Sequence, residues 1–195
     1  MKKSMIIIIV ILTLISSTNI VIANELKEKT RDACIESIIQ LPDYHYNDGV
    51  YSQEGYYDSS QEKTYVVYQD NSEEDLYIKS YDHTLGEWRN SHFVCKAGVH
   101  YPQCPYFTIV KDDENYIHIL IGVHNGQAKI IKSSNSNNIT SWETAKNVGP
   151  STTSNQILHY TNEGVMYIFY RKGEGYGNRP YYSKKSVDDG ESWSS

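Results

Sequence analysis

Cysteine is scarce in this sequence: the 195 residues hold three, Cys34, Cys95 and Cys104. None sits in a Cys-x-x-Cys pair or a His/Cys cluster with zinc-site spacing, so no structural metal and no cofactor is expected. Basic charge is also short. Eighteen Lys and Arg face 24 Asp and Glu, a formal net charge of −6, whereas the electrostatic footprint of nucleic-acid binding is basic. Long apolar runs are missing too, with one exception at the start. Met5 to Ile15 is almost unbroken aliphatic, yet short for a membrane span.

What that run offers instead is a targeting signal. Lys2 and Lys3 precede it, and Val21 and Ala23 supply small residues before Asn24. The pattern predicts a secretory signal peptide over residues 1–23, cleaved after Ala23. Removing it takes away two lysines and no acid, which moves the net charge from −6 to −8. The mature protein is therefore expected outside the cytoplasm, secreted, periplasmic or at the cell surface, with no membrane partner after cleavage. Export permits disulfides. Cys95 with Cys104 would close a short loop, and the odd count leaves one thiol over.

Residues 24–46 form a lead-in. Within it Glu25 to Leu41 fits one amphipathic helix with Cys34, Ile38 and Leu41 on a stripe, and fits an irregular segment equally well. After Pro42 the character changes. Short runs of aromatic and β-branched residues, fed by 18 tyrosines, alternate with Asn, Asp, Gly and Ser clusters, the pattern of an all-β domain.

The runs repeat. TYVVYQ (Thr64–Gln69), YIHILI (Tyr116–Ile121) and MYIFYR (Met166–Arg171) are about fifty residues apart. Each is followed by a second strand-like run, then by a turn ending in a tryptophan: Trp88, Trp142 or Trp193. Repeats of this length with four short strands predict a β-propeller of four-stranded antiparallel blades. Residues 47–195 hold about three blades, fewer than the roughly four to eight that close a ring. The expectation is an incomplete, truncated copy, or a chain that assembles with another.

The last turn, SVDDGESW, is the most regular. Asp188 can accept hydrogen bonds from its own turn, Gly190 supplies a positive φ, and Trp193 offers an apolar plate. With Ser186 and Ser192 these residues resemble the Asp-box, or BNR repeat, of sialidases and related propellers. In the earlier copies Asp82 and Gly86 keep the pattern with one extra residue, while Asn137 and Ile139 stand for the aspartate and the glycine. The stretches YIHILIGVHNGQAKIIKSS and MYIFYRKGEG are similar to the BNR-4 group, which includes polysaccharide lyases of the ulvan-lyase type. The resemblance implies a carbohydrate-active propeller whose partner is a polysaccharide or glycan.

Meander geometry sorts the loops. In each blade the A–B and C–D turns lie at one end of the strands, and the B–C loop and the connection to the next blade at the other. The Asp-box turns therefore belong to the scaffold end. The opposite end collects His100, His124, Asn125, Arg171, Lys172, Tyr176 and Arg179. The resemblance implies catalytic roles for His100 and His124 as base and acid, and for Arg171 as neutraliser of a sugar carboxylate. Tyr176 stands in for the tyrosine these lyases carry, and Asn125, Lys172 and Arg179 would bind substrate. His118, alternating with Tyr116 and Leu120, reads as structural. The activity implied is β-elimination on a uronate polysaccharide. A sialidase-like glycoside hydrolase is the first alternative, although the Phe-Arg-Ile-Pro motif and an arginine triad are absent from the sequence. A non-catalytic glycan-binding module is the second.

Overall fold

The computed structural model describes residues 55–69, 75–97, 106–172 and 180–194. The signal peptide, the lead-in with its expected helix, Cys34 and Cys104 lie outside the described residues. What is described consists of strands, turns and loops. The strands are β1 (Gly55–Asp58), β2 (Lys63–Gln69), β3 (Asp75–Asp82), β4 (Glu87–Trp88), β5 (His92–Lys96) and β6 (Tyr106–Lys111). They continue with β7 (Ile117–Gly122), β8 (Gly126–Lys132), β9 (Lys146–Tyr160), β10 (Met166–Lys172) and β11 (Tyr181–Ser186). All pairings are antiparallel, as the alternating sequence requires.

Two sheets result. β1-β2-β3 form the first, with both β4 and β5 against β3; the second runs β11-β10-β9-β8-β7-β6. The first repeat thus keeps its four-stranded plan, but its outer strand is broken into two pieces. The second and third repeats depart from the expected separate blades. They share one strand. β9 pairs β8 through Lys146–Val148 and β10 through Thr153–Tyr160, so it serves as the last strand of one repeat and the first of the next. The register jumps from Gly126↔Thr153 to Ala128↔Val148. Gly149 (φ 72) and Asn155 (φ 54) take up the bend in left-handed conformations, which lets one chain segment serve both repeats without a connecting loop.

Burial follows repeat order. β2 alternates buried with half-buried residues, whereas every residue of β6 and β7 is buried, because the second repeat is covered on both faces. One core joins Tyr65, Val67, Leu76 and Ile78 of the first repeat to Ile109, Ile117, Ile119, Ile121 and Ile131 of the second. The other joins Val110, Leu120, Ala128 and Ile130 to Leu158, Met166, Ile168 and Tyr170 of the third. Alternate residues of β7 therefore point to different cores, the period-two rule applied to a strand buried on both sides.

Polar latches tie the same boundaries. Asp58, at the β1–β2 turn, accepts a hydrogen bond from Lys111 at the end of β6, and also from the Ser60 backbone and hydroxyl. Asp113, at the β6–β7 turn, accepts one from the Tyr160 hydroxyl at the end of β9, at 2.8 Å. Lys111 pairs Ile117 and Tyr160 pairs Met166. They are thus equivalent last residues of successive inner strands. Burial, together with Asp113, pushes the Tyr160 phenol up to about 12.

The tryptophan turns meet the A–B turns at one end of the sheets. The amide of His83 donates to the Glu62 carbonyl at 2.9 Å, and that of Asn137 to the Asn115 carbonyl at 2.7 Å. In the last turn Asp188 Oδ1 accepts from the Ser186 hydroxyl (2.7 Å) and the Ser192 amide (2.9 Å). Gly190 has φ 86, and Trp193 Nε1 donates to its carbonyl at 3.1 Å. The middle turn repeats that last bond, from Trp142 Nε1 to the Ile139 carbonyl at 3.2 Å. One expectation shifts there. Asn138, rather than Asn137, accepts the local amide, from Thr140 at 2.7 Å. Asn137 adopts φ 56 and its side-chain Oδ1 accepts from Gln61 Nε2 of the first repeat instead.

Candidate functional site

The β7–β8 loop is Val123-His124-Asn125 between two glycines. Both glycines are required by space. A Cβ on Gly122 would lie 2.9 Å from Gln156 Oε1 and 3.1 Å from the Tyr106 carbonyl oxygen; one on Gly126 would lie 2.5 Å from Val123 Cγ2. Asn125 takes φ 57, a conformation asparagine tolerates better than most residues. The chain thus turns sharply, leaving His124 half-buried and Asn125 exposed.

β9 holds this loop. The Val123 amide donates to Gln156 Oε1 at 2.9 Å. Gln156 Nε2 donates to Thr153 Oγ1 at 2.7 Å, and that hydroxyl donates to the Gly126 carbonyl at 2.9 Å. The Asn125 amide donates to Ser154 Oγ at 3.2 Å. Thr153, Ser154 and Gln156 are buried, and their hydrogen bonds go into the loop rather than to water, as buried polar groups demand. These three residues were not singled out in the sequence. Their signal was the polar run Ser151–Gln156 inside a strand pattern, which has to be paired if it is buried.

On the other side of β9 stands the end of β10. Ser154 pairs Arg171 and Thr153 pairs Lys172, while Thr153 also pairs Gly126. The row from the His124 loop to Arg171 thus crosses a single intervening strand, about 10 Å at two strand spacings. Arg171 is half-buried, its guanidinium carbon lies 5.7 Å from the centre of the Tyr181 ring, and its buried Nε has no hydrogen-bond partner among the described residues. An unsatisfied donor on a fixed cation is a ready partner for an anionic oxygen. Lys172 beside it is exposed.

The structure therefore brings His124, Asn125, Arg171 and Lys172 to one sheet end. His100, Tyr176 and Arg179 lie outside the described residues. Ser186, Asp188, Gly190, Ser192 and Trp193 build a turn at the opposite end from His124. His118 is buried, with Nε2 2.7 Å from Asp112 Oδ2, and Lys132 approaches the same oxygen at 3.8 Å. Burial works to raise the Asp112 carboxyl, but hydrogen bonds from His118 and the Tyr116 amide override it and hold it below the usual range. The cluster lies inside the fold and meets no strand end of the His124 side. Burial pushes the Cys95 thiol up to about 11, so it stays protonated at neutral pH. Among the described residues no three His, Cys, Asp or Glu side chains converge as metal ligands.

No protein-family model matches the chain. It is 33% identical over 157 residues to Ulvan Lyase-PL25 of Pseudoalteromonas sp. (strain PLSV), an alignment covering 68% of this chain and 31% of that protein. It is 31% identical over 157 residues to an ulvan lyase of Alteromonas sp. (strain LOR), with the same coverage of each. A solved structure of a PL25 ulvan lyase superposes with a TM-score of 0.61 at 27% identity, over 74% of this chain and 37% of that one. The fold is polysaccharide-lyase-like. The chain spans about a third of the length of the curated relatives it matches. A second structure of that lyase, bound to -[GlcA(1-4)Rha3S]-, superposes with a TM-score of 0.60 at 26% identity.

Proposed function

We propose that this chain carries part of the active centre of a secreted lyase that cleaves an acidic, uronate-containing polysaccharide by β-elimination. The observation that carries the reading is the row joining His124 and Asn125 to Arg171 and Lys172 across β9. Similarity to ulvan lyases, one of them bound to a glucuronate-containing oligosaccharide, supports the substrate class.

The chemistry needs a cation, a base and an acid. A sugar carboxylate beside Arg171 would accept its unsatisfied Nε–H, and the neutralised carboxylate would stabilise negative charge developing on the adjacent carbon. A histidine takes the proton from that carbon. The electron pair of the broken C–H bond forms a carbon–carbon double bond, and the neighbouring glycosidic C–O bond breaks. An acid protonates the leaving oxygen. One product then ends in an unsaturated uronyl residue, the other in a hydroxyl. His124 serves as base or acid in this scheme, with His100 as the other and Tyr176 as a further proton donor. Asn125, Lys172 and Arg179 hold the polymer. Ser186, Asp188, Gly190, Ser192 and Trp193 serve as an Asp-box that fixes the scaffold.

The test is incubation with acidic polysaccharides while following ultraviolet absorbance of unsaturated uronyl ends. Absorbance that grows with the native protein and is lost in Arg171→Ala supports the proposal. Release of saturated sugar alone would turn the reading to a glycoside hydrolase.

A further inference from the structure

The inner-strand pairing of the third repeat departs from that of the first two. β1 with β2 and β6 with β7 run in register from end to end. β9 with β10 does not. Their pairing holds from Met166↔Tyr160 to Phe169↔Ile157, then resumes as Arg171↔Ser154. Asn155 and Gln156 of β9 thus face a single residue of β10, Tyr170, which is a β-bulge. Asn155, the first of the two, has φ 54. That is the left-handed conformation which one class of bulge gives to glycine.

The bulge decides what stands beside Arg171. Without the extra residue, the register of Phe169↔Ile157 would continue and set Asn155 against Arg171 and Ser154 against Lys172. The side chains of β9 before the bulge would also turn to the other face of the sheet. With it, Ser154 pairs Arg171 and Thr153 pairs Lys172. These two residues also hold the His124 loop. Ser154 Oγ accepts from the Asn125 amide at 3.2 Å, and Thr153 Oγ1 donates to the Gly126 carbonyl at 2.9 Å. Gln156, the second residue of the bulge, accepts from the Val123 amide at 2.9 Å. One extra residue thus lets three buried side chains reach the loop while the same segment pairs the end of β10.

Asn155 itself contributes backbone. Its side chain is half-buried and has no hydrogen-bond partner among the described residues. What the position demands is a residue that accepts positive φ. Asparagine and glycine do so, whereas a β-branched residue there would be an outlier.

We infer that, on the lyase reading above, Asn155 is a positioning residue: its left-handed backbone forms the bulge that sets Arg171 in line with the His124 loop, so that the cation and the proton-transferring imidazole act on one sugar. Alignment of this kind is worth much in rate, since a displacement of about 1 Å can cost about 100-fold.

The test compares Asn155→Val with Asn155→Gly in the whole protein, on a glucuronate-containing polysaccharide. Asn155→Val is expected to lower kcat by about 100-fold with KM little changed, because the groups that bind the polymer remain and only their alignment is lost. Hydrogen exchange at the Asn125 amide should accelerate in the same variant. Asn155→Gly is expected to keep native turnover and native exchange, because glycine adopts positive φ freely. If circular dichroism shows Asn155→Val unfolded, Asn155→Ala carries the same comparison, since alanine too is strained at positive φ. A loss in Asn155→Gly as deep as that in Asn155→Val overturns the inference and makes the asparagine side chain the working group. Native kcat in Asn155→Val overturns it as well, and so does a rise in KM alone. A native protein with no turnover on any uronate polysaccharide overturns the lyase reading and takes this role with it, whereas the other adverse outcomes remove this role alone.

Discussion

Lys111 Nζ lies 2.5 Å from Asp58 Oδ2 across the boundary between the first two repeats, with both side chains at least 95% buried. Lys111 closes the inner strand of one repeat and Asp58 opens the turn of the one before, so the pair joins residues 53 apart in the chain. Desolvating two charges is costly, and the pair is favourable only because Ser60 and Gln61 complete the hydrogen bonding of the carboxylate.

Breaking one side of that pair leaves an uncompensated charge in the core. Lys111→Met is expected to destabilise the protein by about 3–5 kcal/mol, and Lys111→Met with Asp58→Leu by clearly less. Urea unfolding of the single and double variants checks this. A double variant as unstable as the single would show that shape, not charge, sets the cost.

Acid should loosen the same boundary. Burial alone would raise the Asp58 carboxyl, but hydrogen bonds from Lys111 and Ser60 override it and hold it below its ordinary value. A depressed folded-state pKa contributes stability that is present above the unfolded value, about 4, and lost as pH falls through the folded one. Thermal midpoints should therefore fall below about pH 4, and fall less steeply in Asp58→Asn, which starts lower.

The clamp on the His124 loop predicts a separable effect. Gln156→Leu leaves the buried Val123 amide without its acceptor, at a cost of about 1–3 kcal/mol. Hydrogen exchange at Val123 and the neighbouring loop amides should accelerate while β2 and β3 keep their protection. Uniform acceleration across both sheets would contradict a local clamp.

The last turn has its own titration. Hydrogen bonds from the Ser192 hydroxyl, the Ser186 hydroxyl and the Ser192 amide hold the Asp188 carboxyl down at about 2. Carboxyl NMR should find a midpoint near 2, and Ser192→Ala should move it toward the ordinary value of about 4.

On the proposed lyase activity, His124→Ala should reduce turnover by about 100- to 10,000-fold if the imidazole transfers a proton. Arg171→Ala should reduce it by about 100- to 1,000-fold through lost charge stabilisation. Both should keep native circular dichroism. Glycan binding that survives both substitutions, with no turnover in the native protein, would favour a binding module.

Much of this was legible in the chain itself. Alternation of apolar with polar residues is a local property, and it marked TYVVYQ, MYIFYR and their neighbours as strands. The bonds of Asp188 and the positive φ of Gly190 span only a few residues, so SVDDGESW announced them too. Repeat spacing assigned His124 and Arg171 to the same end. Three things needed the tertiary structure. Nothing local to Lys111 or Asp58 marks them as partners, and only packing of one repeat on the next buries them together. The polar run Ser151–Gln156 does not announce its partners, and only β9 threading between β8 and β10 shows that Thr153, Ser154 and Gln156 bond to the His124 loop. Phe169 and Leu120 look alike in sequence, yet one is open and the other sealed, because burial depends on which repeat lies against the face. Periodicity fixes the direction in which a side chain points, and tertiary packing decides what it meets there.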